Sequence, residues 1–338
     1  MALSLTDQFV SAAELTGYVR EAAADEVRNR FTLSTFLPDT NVDDIDFRAT
    51  TGGDGLSGVA KFRSYDAESP ISGRTGVTAL TGELPPISEK RRLSEYDRLK
   101  MRNAPEAIRN AVLKDGVELA KNIHARAEVA RGQLLQTGKV TIAENGLTLE
   151  ADFGRKAAHT QTAATLWNAG GNVIEDLLAW RDVYSATNGG GPGTILVSRQ
   201  ALAAVIRNQT VAEAVYGTSP GTRLVTLDSL NSLLASHGLP VFEVYEAKVR
   251  DAAGAAKDIL DPTRLLFLPE AGEKIGETLW GLTAEAQDAD YGIDSTEAPG
   301  VVVGSYSDKD PVALWTKASA LLLPVAPNTN LTLSAKVL

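Results

Sequence analysis

Residues 105–137 read PEAIRNAVLKDGVELAKNIHARAEVARGQLLQT, and this run decides the reading of the fold. From Ile108 the apolar or small positions are Val112, Gly116, Leu119, Ile123, Ala127, Ala130 and Leu134. The steps alternate between three and four residues, which places them on one stripe of an α-helix. Pro105 suits the first turn, where its missing N–H is no loss, and Gly138 suits the position just past the end. Arg109, Glu118, Lys121, Asn122, Glu128 and Arg131 fall on the remaining surface. At about 1.5 Å per residue the helix is a rod of roughly 45 Å. A rod that long spans the edge of a domain rather than hiding inside it.

On its N-terminal side the chain changes character twice. Ser11-Ala-Ala-Glu14 is a capping box, and Leu15, Val19, Ala22, Ala23 and Val27 recur at helical spacing, so a first helix is predicted to run to about Arg30. Residues 39–95 then lose that periodicity. Gly52, Gly53, Gly55 and Gly58 crowd together, followed by Pro70, Gly73, Gly76, Gly82, Pro85 and Pro86. Val59–Phe62 and Ile87–Leu93 are short strand-like pieces within this run. So long a stretch without packing periodicity is usually functional or disordered. Folded back as two arms of about 20 residues, it reaches roughly 60 Å. That is farther than the radius of its own domain, so it is expected to lie on something else.

On the C-terminal side the chain supplies a core of its own. Leu147–Phe153 alternates like a strand, and Val173–Tyr184 is an amphipathic helix. Thr194–Ser198, Val241–Tyr245 and Arg264–Pro269 read as strands, with helices over Arg199–Asn208 and Leu230–Ser236. Three more strands are predicted at Glu277–Leu282, Val301–Tyr306 and Ala313–Leu323. The fold class is therefore α+β.

Composition narrows the chemistry. The 338 residues carry a net charge of −10, which argues against tight, whole-surface DNA binding. With no cysteine there can be no disulfide, thiolate zinc site, iron–sulfur cluster or cysteine nucleophile. The three histidines, His124, His159 and His237, lack metal-ligand spacing. Asn188-Gly-Gly-Gly-Pro-Gly193 lacks the Lys-Ser/Thr of a phosphate loop, precedes a strand rather than following one, and reads as a turn. Asp288, Asp290 and Asp294 break the calcium-loop spacing and read as an acidic loop. Asn208-Gln-Thr210 and Asn330-Leu-Thr332 match the glycosylation pattern only formally. The N-terminal residues have neither a basic region nor a long apolar run, and Ala318–Val325 is too short to span a membrane, so folding in a reducing cytoplasm is expected. No catalytic residue, metal ligand or cofactor site is assigned.

The order of motifs carries a resemblance. Phe62-Arg-Ser-Tyr-Asp-Ala-Glu-Ser-Pro70 with Gly73-Arg74, then Leu84-Pro-Pro-Ile-Ser-Glu-Lys90 and Leu93-Ser-Glu95, resembles the extended-loop region of lambda-type phage major capsid proteins. The acidic Ala286–Asp290 segment is also similar, and Leu314–Pro324 and Leu331–Leu338 resemble that family's last two strands. Each motif alone is weak, and their succession over nearly the whole chain is what is specific. The resemblance implies an HK97-like fold. Residues 1–45 would form the N-terminal arm and 46–95 the extended loop (E-loop). Residues 96–159 would form the peripheral domain, with its spine helix at about 104–137. Residues 160–275 would form the axial domain, and 276–338 would return to the peripheral domain.

The resemblance also implies a function: pentamers and hexamers closing into an icosahedral shell around double-stranded DNA, in a virion assembled in the host cytoplasm. Partners implied are a scaffolding protein, a portal and a decoration protein at three-fold positions. Each extended loop laid on a neighbour would bury on the order of 1,000 Å². Closed symmetry multiplies such weak contacts. The charged residues Lys61, Arg63, Asp66, Glu68, Arg74, Glu83, Lys90, Arg91, Arg92 and Glu95 are the candidate inter-subunit contacts. Lys90–Arg92 can equally be read as a solvated strand edge, and nothing identifies the Lys–Asn cross-link of some relatives. Two other readings stay open: a cargo-enclosing nanocompartment shell (encapsulin-like) on the same fold, and a soluble α+β enzyme.

Overall fold

The computed structural model describes residues 9–51, 56, 59–60, 62–68, 78–218, 223–251, 253–294, 299–310 and 312–338. The helices, in chain order, are α1 (Ala12–Arg30), α2 (Glu95–Lys100), α3 (Pro105–Thr137), α4 (Val173–Asn188), α5 (Arg199–Arg207), α6 (Gln209–Tyr216), α7 (Leu227–Ser236) and α8 (Ala284–Gln287). The strands begin with β1 (Asp39–Asn41), β2 (Asp46–Thr51), β3 (Thr78–Glu83), β4 (Pro86–Leu93), β5 (Lys139–Glu144), β6 (Leu147–Asp152), β7 (Thr160–Thr162) and β8 (Thr194–Val197). They continue with β9 (Phe242–Val244), β10 (Lys248–Arg250), β11 (Ala256–Asp258), β12 (Arg264–Leu268), β13 (Glu277–Gly281), β14 (Val302–Lys309), β15 (Val312–Val325) and β16 (Leu333–Lys336). The chain divides into two units. The first comprises Met1–Arg48, Thr81–Gly132 and Glu277–Val325, and the second Ala49–Leu80, Gln133–Gly276 and Ala326–Leu338.

In the first unit, β15 is the central strand. It pairs antiparallel with β14, β13 and β4, and β1 adds to β13 in parallel. Helices α1 and α3 cover one face. Leu15, Val19 and Ala23 of α1 and Ile108, Val112, Leu119 and Ile123 of α3 share a core with Val303, Leu314 and Leu322 of the sheet. The N-terminal segment expected as an arm is thus partly core, because its apolar stripe is buried in its own unit. Half of the predicted capping box forms: Ser11 Oγ accepts from Glu14 N at 3.3 Å, while the Glu14 carboxylate turns to Arg109 at 2.6 Å. The hydroxyl of Thr16 accepts from Val303 N and donates to Val303 O, both at 3.0 Å, which occupies the free edge of β14.

At Gly116 the two helices approach closely. A Cβ there would lie 2.9 Å from Val19 Cγ2 and 3.4 Å from both Leu15 and Val303. Gly116→Val is expected to cost about 1–3 kcal/mol by overpacking, read from urea unfolding. A change below the error of that measurement would mean the helices can separate freely.

The stretch expected to be extension up to residue 95 ends earlier. β4 is built into the sheet, with Pro86–Leu93 opposite Leu321–Leu314. The cause is alternation: Ile87 and Leu93 pack on the helical core, and Glu89 and Arg91 on the same side reach α3 through Asn122 (2.8 Å) and Asp115 (3.4 Å). β2 and β3 pair as a two-stranded ribbon. There Phe47 is buried, and a Cβ on Gly82 would come within 2.9 Å of its ring.

Two charges assigned to the open surface of the long helix are instead buried in the first unit. Glu128 Oε1 accepts from Leu33 N at 2.9 Å, and Arg131 donates to Glu128 (3.1 Å), to Thr278 Oγ1 (2.8 Å) and to Asp39. Asp39 also accepts from Trp280 Nε1 at 2.5 Å, and Thr278 Oγ1 donates to Leu37 O at 3.0 Å. Here the segment following α1 and strand β13 cover a second side of α3, so its charges are tolerated only because each meets a partner.

His124 of α3 lies beside Trp280, with ring centroids 5.2 Å apart. Burial pushes its pKa down from 6.5 to about 4; Asp39 opposes this, and Arg131 and Arg20 reinforce it. The native state therefore holds this imidazole neutral, while the unfolded chain takes up a proton near 6.5. Stability is complete above that pH and falls as pH drops from 6.5 towards 4, by about 3 kcal/mol from this group. Denaturant unfolding of the unassembled chain at pH 7 and pH 4.5 should show that loss. In His124→Gln this part of the pH dependence should vanish. An identical slope in the variant would place the acid sensitivity elsewhere.

In the second unit a mixed sheet runs β7-β16-β12-β8-β9. Leu265–Leu268 of β12 are buried on both faces, so that strand needs a partner along each edge. β8 supplies one and β16 the other. The closing segment, expected to return to the first body, therefore belongs to the second: Leu333, Ala335 and Val337 alternate into a core shared with Leu177, Trp180, Val205 and Leu230. The last turn of α3 ends here as well. Gly138 has φ +74°, and its N–H donates to Leu134 O at 2.8 Å. The guanidinium of Arg155 donates to Leu135 O (3.0 Å) and Gln136 O (2.6 Å), capping carbonyls the helix leaves open. Asn145-Gly146, with φ +49° and +84°, turns the β5–β6 hairpin.

Candidate self-assembly surface

Residues 63–67 form a turn closed by their own hydrogen bonds. Ala67 N donates to Ser64 O at 3.3 Å, and Arg63 Nη1 donates to Ala67 O (2.7 Å) and Ser64 O (3.4 Å). Asp66 sits at φ +60°, a left-handed conformation that Asp tolerates better than most residues. This closes residues 64–67 into a turn held by its own arginine. Around it the apolar side chains are bare: Val59 is 93% exposed, Phe62 104% and Tyr65 100%. Fully exposed aromatic rings on a held turn bury nothing within the chain, and large aromatics are the residues that anchor protein interfaces.

The ten charged candidates separate into groups. Arg63, Asp66 and Glu68 are exposed at the tip, and Arg63 is already engaged in closing the turn. Glu83 is exposed at the end of β3. Lys61 and Arg74 lie outside the described residues. Lys90, Arg91 and Arg92 alternate along β4. Lys90 lies 4.4 Å and Arg92 5.9 Å from the ring of Trp315, which stacks on Tyr306. Arg91 faces the other side, towards Asp115. Glu95 opens α2, whose first turn is capped by Ser94 Oγ accepting from Asp97 N at 3.2 Å. The β4 cations thus already have partners within the chain.

The residues that charge-based reading passed over are Val59, Phe62 and Tyr65. Their signal was bulky apolar side chains in a run too rich in glycine and proline to bury them.

Other features have structural roles. Asp288 Oδ1 accepts from Asp290 N at 3.0 Å, closing a short turn. Among the described residues no group of three or more His, Asp or Glu side chains could hold a metal ion. No helix among them is long and apolar enough to cross a membrane. Asn208 is buried, donating to Trp167 O (3.0 Å) and Gly171 O (2.9 Å), while its Oδ1 accepts from Thr210 N (2.9 Å). Asn330 is buried and accepts from Lys156 N at 2.9 Å.

The family model described as Phage major capsid protein E matches residues 11–337. No curated protein sequence gives a significant match. Among solved structures, a prophage capsid protein from E. coli CFT073 superposes with a TM-score of 0.66 at 14% identity, covering 97% of this chain and 99% of its own. A phage-related protein from Bordetella bronchiseptica RB50 gives a TM-score of 0.57 at 14% identity, covering 99% and 98%. The capsid of a native GTA particle gives 0.51 at 12% identity, covering 91% and 90%. At these identities the structures share the fold, which is that of HK97-like capsids. The family match extends from the start of α1 to the end of the closing strand, and on that evidence the chain belongs to the phage major capsid protein E family and is a structural capsid subunit.

Proposed function

We propose that this subunit self-assembles as pentamers and hexamers into the icosahedral shell of a tailed phage, enclosing double-stranded DNA. The observation that carries this reading is the held turn at residues 64–67 with its bare aromatic side chains, which gain burial only on another molecule. Repeated around closed symmetry, each such contact can be weak and still give a stable shell, and weak contacts let misplaced subunits leave. The net charge of −10 keeps the wall from gripping the genome. The expected partners are copies of itself, a scaffolding protein, a portal and a decoration protein at three-fold positions. In this reading the chain does no chemistry, and assembly takes place in the host cytoplasm. Within it residues 46–95 act largely as the E-loop, α3 as the spine helix and 160–275 as the axial domain. The ten charged candidates, with Val59, Phe62 and Tyr65, supply the contacts. The test is whether the purified chain forms closed particles.

A further inference from the structure

The sheet of the first unit has two faces, and they are covered differently. Val303, Leu314, Ala318 and Ala320 point into the helical core. Side chains alternate along a strand, so Val302, Gly304, Lys317 and Ser319 lie on the opposite face, where Val302 pairs with Ser319 and Gly304 with Lys317. Residues 283–292, which include α8, lie over this part of it. Their apolar contribution is small and separate from the main core: Ala286 packs with Val302, and Tyr291 adds to that cluster. The Tyr291 ring rests on Gly304, where a Cβ would lie 2.5 Å from Tyr291 Cε1 and 3.0 Å from its hydroxyl. The polar contribution is one carboxylate. Glu285 Oε1 accepts from Lys317 Nζ at 2.6 Å and from Ser319 Oγ at 2.9 Å. Burial by itself raises the Glu285 pKa, but these bonds outweigh it and hold the group below its ordinary value.

The backbone adds no further tie. Among the described residues its hydrogen bonds run within the segment: Ala286 N to Thr283 O (3.1 Å), Asp288 N to Glu285 O (3.3 Å), Tyr291 N to Asp288 O (3.0 Å) and Gly292 N to Ala289 O (3.1 Å). Single turns of this length do not hold without packing. A segment with few apolar contacts and one polar anchor has the properties of a unit that opens locally. We propose that residues 283–292 are a strap that opens as one piece, with Glu285 as its lock and the Tyr291–Gly304 contact as its seat. Closed, it hides Val302, Gly304, Lys317 and Ser319. Open, it joins them to the partly exposed Lys90, Arg92, Tyr306 and Trp315 on the same face, so the strap sets how much of that face is bare.

The absence of cysteine allows a direct test. Val302→Cys places a thiol beneath the strap, and Val303→Cys places one on the helical side of the same strand. Labelling of each by a thiol reagent is followed at pH 7 in the full chain, with and without Glu285→Gln. The lock predicts labelling at position 302 about tenfold faster with Glu285→Gln and an unchanged rate at position 303. Gly304→Ala, which displaces Tyr291 without touching a charge, should also speed labelling at position 302 alone. Equal acceleration at both positions means global loosening and overturns the strap, as does a rate at position 302 that ignores Glu285→Gln. Should either cysteine variant fail to fold, amide exchange of the cysteine-free chains replaces labelling. Residues 284–292 should then exchange faster in Glu285→Gln while β15 stays unchanged, and exchange no different from wild type overturns the proposal.

Discussion

Replacing residues 52–77 by a two-residue Asn-Gly turn is expected to give a chain that folds normally and builds no particles. The cut joins Thr51 of β2 to Thr78 of β3 and keeps the ribbon that covers Phe47. Folding should survive because the described residues removed are exposed and belong to neither core cluster. Leu56 approaches Gly189, but it is itself 56% exposed. Assembly should fail because the cut takes away the only bare aromatic tip among the described residues. A wider cut, to residue 90, would remove most of β4 and unravel the sheet. Circular dichroism and sedimentation decide the matter. An unfolded product would place the segment in the core, and particles of normal size would show that the tip contributes no essential contact.

The second large effect is expected at Arg131. Its guanidinium is bound to Glu128, Thr278 and Asp39, and Glu128 is fully buried. Arg131→Ala leaves a carboxylate in the interior without its cation, at a cost of about 3–5 kcal/mol. For a chain of this size that is a fall in Tm of roughly 4–7 °C. Glu128→Leu combined with Arg131→Met should recover more than half of the loss, because an apolar pair leaves no charge stranded. Thermal unfolding of the three chains measures both numbers. A single variant within about 1 kcal/mol of wild type would mean that water reaches the site and the network is not closed.

Much of this architecture can be read from side-chain spacing. The stripe from Ile108 to Leu134 defines α3, and Gly138 ends it, because only a residue free to take φ +74° continues the chain there. Strands β8, β12, β13, β14 and β15 follow from short apolar runs. What spacing does not carry is partnership. Glu128 and Arg131 look like surface residues until Asp39 and Thr278, far away in sequence, are brought to them. The closing strand joins the second unit because β12 lacks an edge partner, a fact of topology that no local pattern records. Helix α6 was hidden by Asn208, which ends α5 and caps α6 in one residue. The β5–β6 hairpin is legible in Asn145-Gly146, whose positive φ values make the turn. At the candidate surface the excess of glycine and proline is legible in the sequence, and the exposure of the aromatic side chains is not. Charges drew attention because they are numerous, although Lys90, Arg91 and Arg92 are engaged within the chain, whereas Phe62 and Tyr65 are not buried at all.

Electron microscopy of the purified wild-type chain, alone or produced together with a candidate scaffolding protein, bears most directly on self-assembly. Closed shells of uniform diameter, made of this polypeptide, are the expected image. A field of monomers at every concentration and salt tried would contradict it.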